Sequence, residues 1–229
     1  QTGNRQIMSK LLQIRMLRTN WIRNQWVLLL ICVAIFYAGW GKFELSGYSI
    51  YLADYALRIT LCVITIALGG LVFRISSGLR SFKSAVLSAV TLALILVSYK
   101  VYRAYYVPLP FFGLPLASFP DIENEWLSWI DLSLGLMLVA LSEEYVFRFL
   151  FVRAIPQSPV LLYLLSSLAF GFLHAPQGLG LVAEATFAGL ALMHLYRSSR
   201  TIVAPILVHF ITDLIIFTGV GCPFGVGDC

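Results

Sequence analysis

The chain has 229 residues, 59% of them hydrophobic and 12% charged, with a mean hydropathy of +0.86. Soluble domains carry about 25% charged residues, so this composition excludes a soluble protein. The net charge of +5 does not point to a nucleic-acid partner, because Lys and Arg fall in short clusters between apolar stretches and form no single basic face.

Apolar stretches of about 17 residues or more recur along the chain, each long enough to cross a hydrocarbon core roughly 30 Å thick as a helix. They are continuous and not alternating, which excludes barrel strands. The expected fold is all-α: a polytopic transmembrane bundle of about seven spanning helices plus an N-terminal amphipathic helix, in one integral-membrane domain over residues 1–229.

In residues 1–25, Arg5, Lys10, Arg15, Arg18 and Arg23 alternate with Leu11, Leu12, Ile14 and Leu17. This reads as a basic amphipathic helix on an anionic membrane face, with a frayed solvated tail as the alternative. No small-residue cleavage site follows the first apolar run, so no cleavable signal is expected. Spans are expected at 26–40, 50–73, 82–101, 127–151, 160–175, 179–196 and 202–220, with residues 127–220 as the catalytic core. Between the third and fourth, Pro108, Pro110, Pro115 and Pro120 preclude a regular helix.

A cytoplasmic N-terminus puts Arg74, Arg80, Lys83, Arg153, Arg197 and Arg200 on the inner side, which satisfies the positive-inside rule; Lys100 and Arg103 are the exceptions. The expected location is a bacterial inner membrane, with the C-terminus outside. Four cysteines are too few for a disulfide framework or a zinc module. Cys222 and Cys229 either pair in a small outer loop or remain two thiols.

A charge at the centre of a spanning helix costs on the order of 2.5 to 3.5 kcal/mol, so charges there are functional candidates. The fourth span holds Glu143, Glu144 and Arg148. Glu144 and Arg148 are four apart and share a helix face, where they can pair, while Glu143 points about 100° away and is expected to lack that partner. The structural alternative is a charge cluster at the cytoplasmic end of the helix. His174 closes the fifth span, and His209 and Asp213 sit four apart in the seventh. Glu184 in the sixth is expected to line a substrate cavity, whereas His194 fits plain packing. Such groups avoid lipid and must converge on a shared interior.

At these residues the sequence resembles the CAAX-protease and bacteriocin-processing family of intramembrane peptidases, which includes the prenyl-protein endopeptidases. The pattern is Glu143-Glu144-x-x-x-Arg148, then Phe170-x-x-x-His174, then His209-x-x-x-Asp213, with Phe-Ala-Gly-Leu at 187–190 before the last piece. The resemblance spans roughly residues 135–217. It implies hydrolysis of a peptide bond near the membrane with glutamate as base. The pattern takes Asn or Asp at position 213; Asp lacks the amide donor, so its implied role is to orient His209.

Peptide hydrolysis needs a base for water, a donor for the oxyanion and a proton for the leaving amine. The expected roles are Glu143 as base, His174 holding the same water, Glu144 and Arg148 fixing that pair, and His209 donating to the oxyanion. Phe170 and Glu184 are expected to contact substrate. No cofactor and no metal are expected; a zinc site is the rival, although the zinc-peptidase helix motif His-Glu-x-x-His is absent. Counting helical rise sets His174 near the outer end of its span and Glu143 at mid-depth or below, a mismatch that a displaced or tilted span would remove.

The expected partners are a membrane protein or peptide substrate and the lipid bilayer, with no nucleic acid. Removal of C-terminal anchoring segments in bacterial protein sorting is the preferred substrate reading. A non-catalytic immunity or scaffold protein and a proton-relay transporter are the rivals, the latter disfavoured by the lack of an inverted repeat.

Overall fold

The computed structural model describes residues 25–69, 82–107, 119–155 and 158–218, and every regular element among them is helical. The basic N-terminal segment, most of the proline-rich stretch, and Cys222 with Cys229 lie outside the described residues. Cys32 and Cys62 are free thiols.

Helix α1, Gln25–Glu44, ends in a 3-10 turn at Lys42–Glu44. Helix α2 is Ser49–Gly69, and α3 is Phe82–Val101, extended by a π turn at Tyr102–Tyr106. Helix α4 runs over 125–154 and contains two π turns, Asp131–Gly135 and Tyr145–Leu150. Each π turn widens the helix and rotates the facing of the residues beyond it; the second one carries Arg148. Helix α5, Pro159–Leu173, starts cleanly because Ser158 caps the Leu161 amide at 3.3 Å and proline occupies the first turn. A 3-10 turn, Ala175–Gln177, leads to α6, Leu179–Ser199, which ends at Arg200 in the left-handed region. Helix α7 is Val203–Thr218.

All seven expected spans therefore correspond to helices. Four of these, α1, α2, α3 and α6, have the length and apolarity to cross a membrane. The α3 residues Phe82, Val86, Val90, Leu94, Val97 and Val101 recur at helical spacing and are all exposed. So long an apolar stripe needs lipid to cover it. The interior core gathers α4 residues Val146, Phe147 and Phe151 with Leu162, Phe170 and Met193.

Helices α5 and α7 are shorter apolar helices, of 15 and 16 residues. At 1.5 Å per residue α5 reaches only about 22 Å, short of the hydrocarbon thickness. A helix this short sets His174, at its C-terminal cap, beside the same cavity as Glu143.

Close approach of α5 and α6 holds His174 in place. A Cβ on Gly171 would lie 2.0 Å from Thr186 Oγ1 and 2.7 Å from the Val182 carbonyl oxygen, and one on Gly189 would lie 3.1 Å from Ser167 Cα. Small residues that let helix backbones meet are the main packing device available where lipid is as apolar as the protein. Gly171→Ala is expected to lower stability by about 1 to 3 kcal/mol, read by thermal unfolding in detergent. Gly41→Ala, whose Cβ meets nothing within 4 Å, serves as the control and should change little.

Candidate active site

Four helices deliver charged or imidazole groups to one region. On α4, Glu144 and Arg148 are one helical step apart and wholly buried. Arg148 Nε lies 2.9 Å from Glu144 Oε2, and Arg148 Nη2 donates to Glu144 Oε1 at 3.2 Å. The guanidinium also reaches Ser166 Oγ on α5 at 3.4 Å and lies 4.8 Å from the centre of the Phe170 ring. Ser166 Oγ in turn donates to the Phe147 carbonyl, tying α5 to α4.

His209 on α7 is 6% exposed and flanked by carboxylates. Its Nδ1 is 3.0 Å from Glu144 Oε1, while Nε2 is 3.4 Å from Asp213 Oδ2 and 3.9 Å from Glu143 Oε2. A carboxylate only accepts, so Nδ1 carries a proton when Glu144 is ionised. His174 is set differently: its Nδ1 is 3.0 Å from the Phe170 carbonyl oxygen. That oxygen also only accepts, so Nδ1 donates and Nε2 of the neutral ring keeps its lone pair. Phe170 lies beneath both imidazoles, 5.1 Å from the His174 ring and edge-on to His209 at 5.7 Å.

These groups meet at a cavity of about 650 Å³. Glu143, His174, His209, Asp213, Glu184 and Phe170 line it, whereas Glu144 and Arg148 stand behind its wall. Glu184 is held by Ser98 of α3, whose hydroxyl donates to it at 2.9 Å. His194 is exposed and near Ser198, away from the cavity.

Packing between helices adds to what spacing along one helix gave. Glu143 does not pair with Arg148, as expected; Arg58 of α2 pairs with its Oε1 instead. Only Oε2 of Glu143 is left without a hydrogen-bond partner, although buried. The Glu144–Arg148 pair reaches His209, not a Glu143–His174 pair. The reason is the same in both cases, since bonds between helices depend on how the helices are packed and not on spacing along one of them.

Arg58 belongs to a chain that sequence reasoning passed over. Its Nε is 3.2 Å from Asp54 Oδ2, and Lys42 Nζ of α1 reaches Asp54 Oδ1 at 2.6 Å. Asp54 and Arg58 sit at i, i+4 within the apolar stretch Ser49–Ala67. The cost of intramembrane charge, which singled out Glu143, is a signal that applies equally to them.

Among the described residues no group of three His, Cys, Asp or Glu side chains is disposed to hold a metal ion. The donor set explains this: His209 has a carboxylate at each ring nitrogen, and one oxygen of Glu143 is engaged by Arg58.

Removing one member of a buried pair leaves an uncompensated charge, at a cost of about 3 to 5 kcal/mol. Arg148→Ala is therefore expected to abolish or severely reduce folded protein. Arg58→Ala should cost less, because Glu143 borders the cavity and regains polar surroundings there. Parallel thermal unfolding of the two variants in detergent checks the order; equal losses would contradict it.

Residues 125–215 match the family model for the type II CAAX prenyl endopeptidases, described as Rce1-like. The match covers less than half of the chain and leaves out Lys42, Asp54 and Arg58. No curated protein and no solved structure matches the chain. The matched stretch carries every expected site residue, from Glu143 to Asp213, on a helical frame with membrane-crossing helices. Over residues 125–215 this integral membrane chain is thus similar to the Rce1-like type II CAAX prenyl endopeptidases.

Proposed function

We propose that the protein is an intramembrane endopeptidase that hydrolyses a peptide bond of a membrane-associated polypeptide with a water activated by Glu143. The observation that carries this reading is Glu143 Oε2, a buried carboxylate oxygen with no hydrogen-bond partner, in the wall of the cavity that His174 and His209 also line. Arg58 anchors Oε1, which fixes the carboxylate and leaves Oε2 for chemistry.

In the reaction, the water oxygen attacks the scissile carbonyl carbon as Oε2 takes its proton, and the His174 Nε2 lone pair accepts the second O–H to aim the nucleophile. The carbonyl oxygen becomes an oxyanion, and His209 Nε2–H donates to it. Glu144 holds the opposite nitrogen of that ring, and Arg148 holds Glu144, so the donor is set before substrate arrives. Asp213, near Nε2, steadies the ring in the empty site. When the tetrahedral intermediate collapses, the C–N bond breaks and Glu143 passes its proton to the leaving amine. Phe170 supports both rings, and Glu184 with Ser98 supplies a polar spot on the cavity wall for the substrate backbone. Removal of a C-terminal anchoring segment is the role we attach to this chemistry.

Positioned general bases contribute about 10²- to 10⁴-fold, so Glu143→Gln is expected to lower cleavage of a membrane substrate by that factor while the protein still folds. His209→Ala should cost about 10²- to 10³-fold as a lost oxyanion donor. Chelators should leave the rate unchanged. Full cleavage by Glu143→Gln would refute Glu143 as the base, absence of cleavage by the unaltered chain would favour a scaffold, and loss of cleavage on chelation would favour a metal mechanism.

A further inference from the structure

The cavity and the exposed basic residues Lys83, Arg153, Arg197 and Arg200 occupy opposite ends of the bundle. Every helix contributes to the cavity from one end only: α1 near Lys42, α2 between Tyr51 and Arg58, α3 from Ile95 onward, and α4 between Ser128 and Glu143. Helix α5 contributes its C-terminal end, α6 the stretch from Leu181 to Leu192, and α7 the stretch from His209 to Phe217. The contacts agree, since Tyr51 bonds to the Pro120 carbonyl, Tyr55 to Asp131, and Ser98 to Glu184. The cavity therefore reaches from that end to about mid-depth, where the short α5 stops.

The opposite end is joined by the residues before α1 and the segments between α2 and α3, α4 and α5, and α6 and α7. Those segments and the adjoining helix ends hold Arg5, Lys10, Arg15, Arg18, Arg23, Arg74, Arg80, Lys83, Arg153, Arg197 and Arg200, eleven of the sixteen Lys and Arg residues. They hold none of the eleven Asp and Glu residues. Lys83, Arg153, Arg197 and Arg200, which fall within the described residues, are all exposed. At the cavity end the balance reverses, with Glu44, Asp121, Glu123 and Glu125 exposed against Lys100 and Arg103. Trp126 and Trp129, 80% and 63% exposed, stand beside them as interfacial anchors.

Short loops rich in Lys and Arg stay in the cytoplasm. We infer that the cavity opens on the non-cytoplasmic face, and that its substrate is a membrane polypeptide whose scissile segment lies on that face. The substrate half of this inference rests on the peptidase reading; the sidedness does not. A segment reaching this site has crossed or entered the membrane first, so the reaction follows translocation. A cytoplasmic tail has no route to Glu143 that avoids passing the basic end and the packed half of the bundle.

The test labels single cysteines in intact bacterial cells expressing the full chain, with Cys32, Cys62, Cys222 and Cys229 changed to Ser. The probe is a charged, membrane-impermeant maleimide. Glu123→Cys, at the exposed outer rim, and Ser128→Cys, on the cavity wall, are expected to label in intact cells. Lys83→Cys and Ser198→Cys, at the basic end, should label only after permeabilisation. The reverse pattern, or labelling of both ends in intact cells, would overturn the inference.

A second arm keeps the native cysteines and inserts a site-specific protease sequence after Glu123 or after Arg200. Protease added outside intact cells should cut the first and spare the second, and the opposite result would overturn the inference. Both arms read geometry alone. Absence of cleavage by the unaltered chain would therefore refute the peptidase reading without touching sidedness, and inward labelling would refute sidedness without touching the chemistry.

Discussion

Charges inside a bilayer persist only when other charges or dipoles answer them, and the centre of this protein is arranged around that constraint. The wholly buried Glu144–Arg148 pair sits where three helices meet: Arg148 binds Ser166 of α5 and lies against the Phe170 ring, while Glu144 holds His209 of α7. A buried ion pair adds little net stability by itself, because desolvation offsets the attraction. Its value here is directional. Each partner accepts few alternatives in a low-dielectric interior, so satisfying both fixes how α4, α5 and α7 face one another.

A second chain, Lys42–Asp54–Arg58–Glu143, performs the same task on the other side of Glu143 and connects α1 and α2 to the core. Glu143 is thus the point where two polar networks approach each other, one from the family-matched stretch and one from the helices that precede it. This gives the first two helices a physical part in the site: they tie one carboxylate oxygen of a cavity-lining residue and leave the other without a hydrogen-bond partner.

Helix length governs the remaining geometry. Because α5 has only 15 residues, its end and the following turn leave room in one half of the bundle and bring His174 to the level of the carboxylates. Gly171 makes that placement possible, since any side chain there would collide with α6. The other half is filled with aromatic and aliphatic side chains such as Val146, Phe147, Leu162 and Met193. The result is a site closed at one end and open at the other, with Lys83, Arg153, Arg197 and Arg200 exposed at the closed end.

The helical class, the positions of the helices and the identities of Glu143, Glu144, Arg148, His174, His209 and Asp213 were legible in the sequence. Hydrophobic runs and the cost of intramembrane charge are properties of consecutive residues, and the i, i+4 pairing of Glu144 with Arg148 needs nothing beyond one helix. Partners on different helices were not legible. That Arg58 meets Glu143, that Glu144 and not Asp213 alone holds His209, and that α5 ends beside the cavity all depend on the distances and rotations between helices. Those are decided by side-chain packing at contacts such as Gly171 against Thr186, where residues far apart in the chain must fit together. Local sequence therefore determined which groups enter the membrane, and only the tertiary structure determined which of them touch.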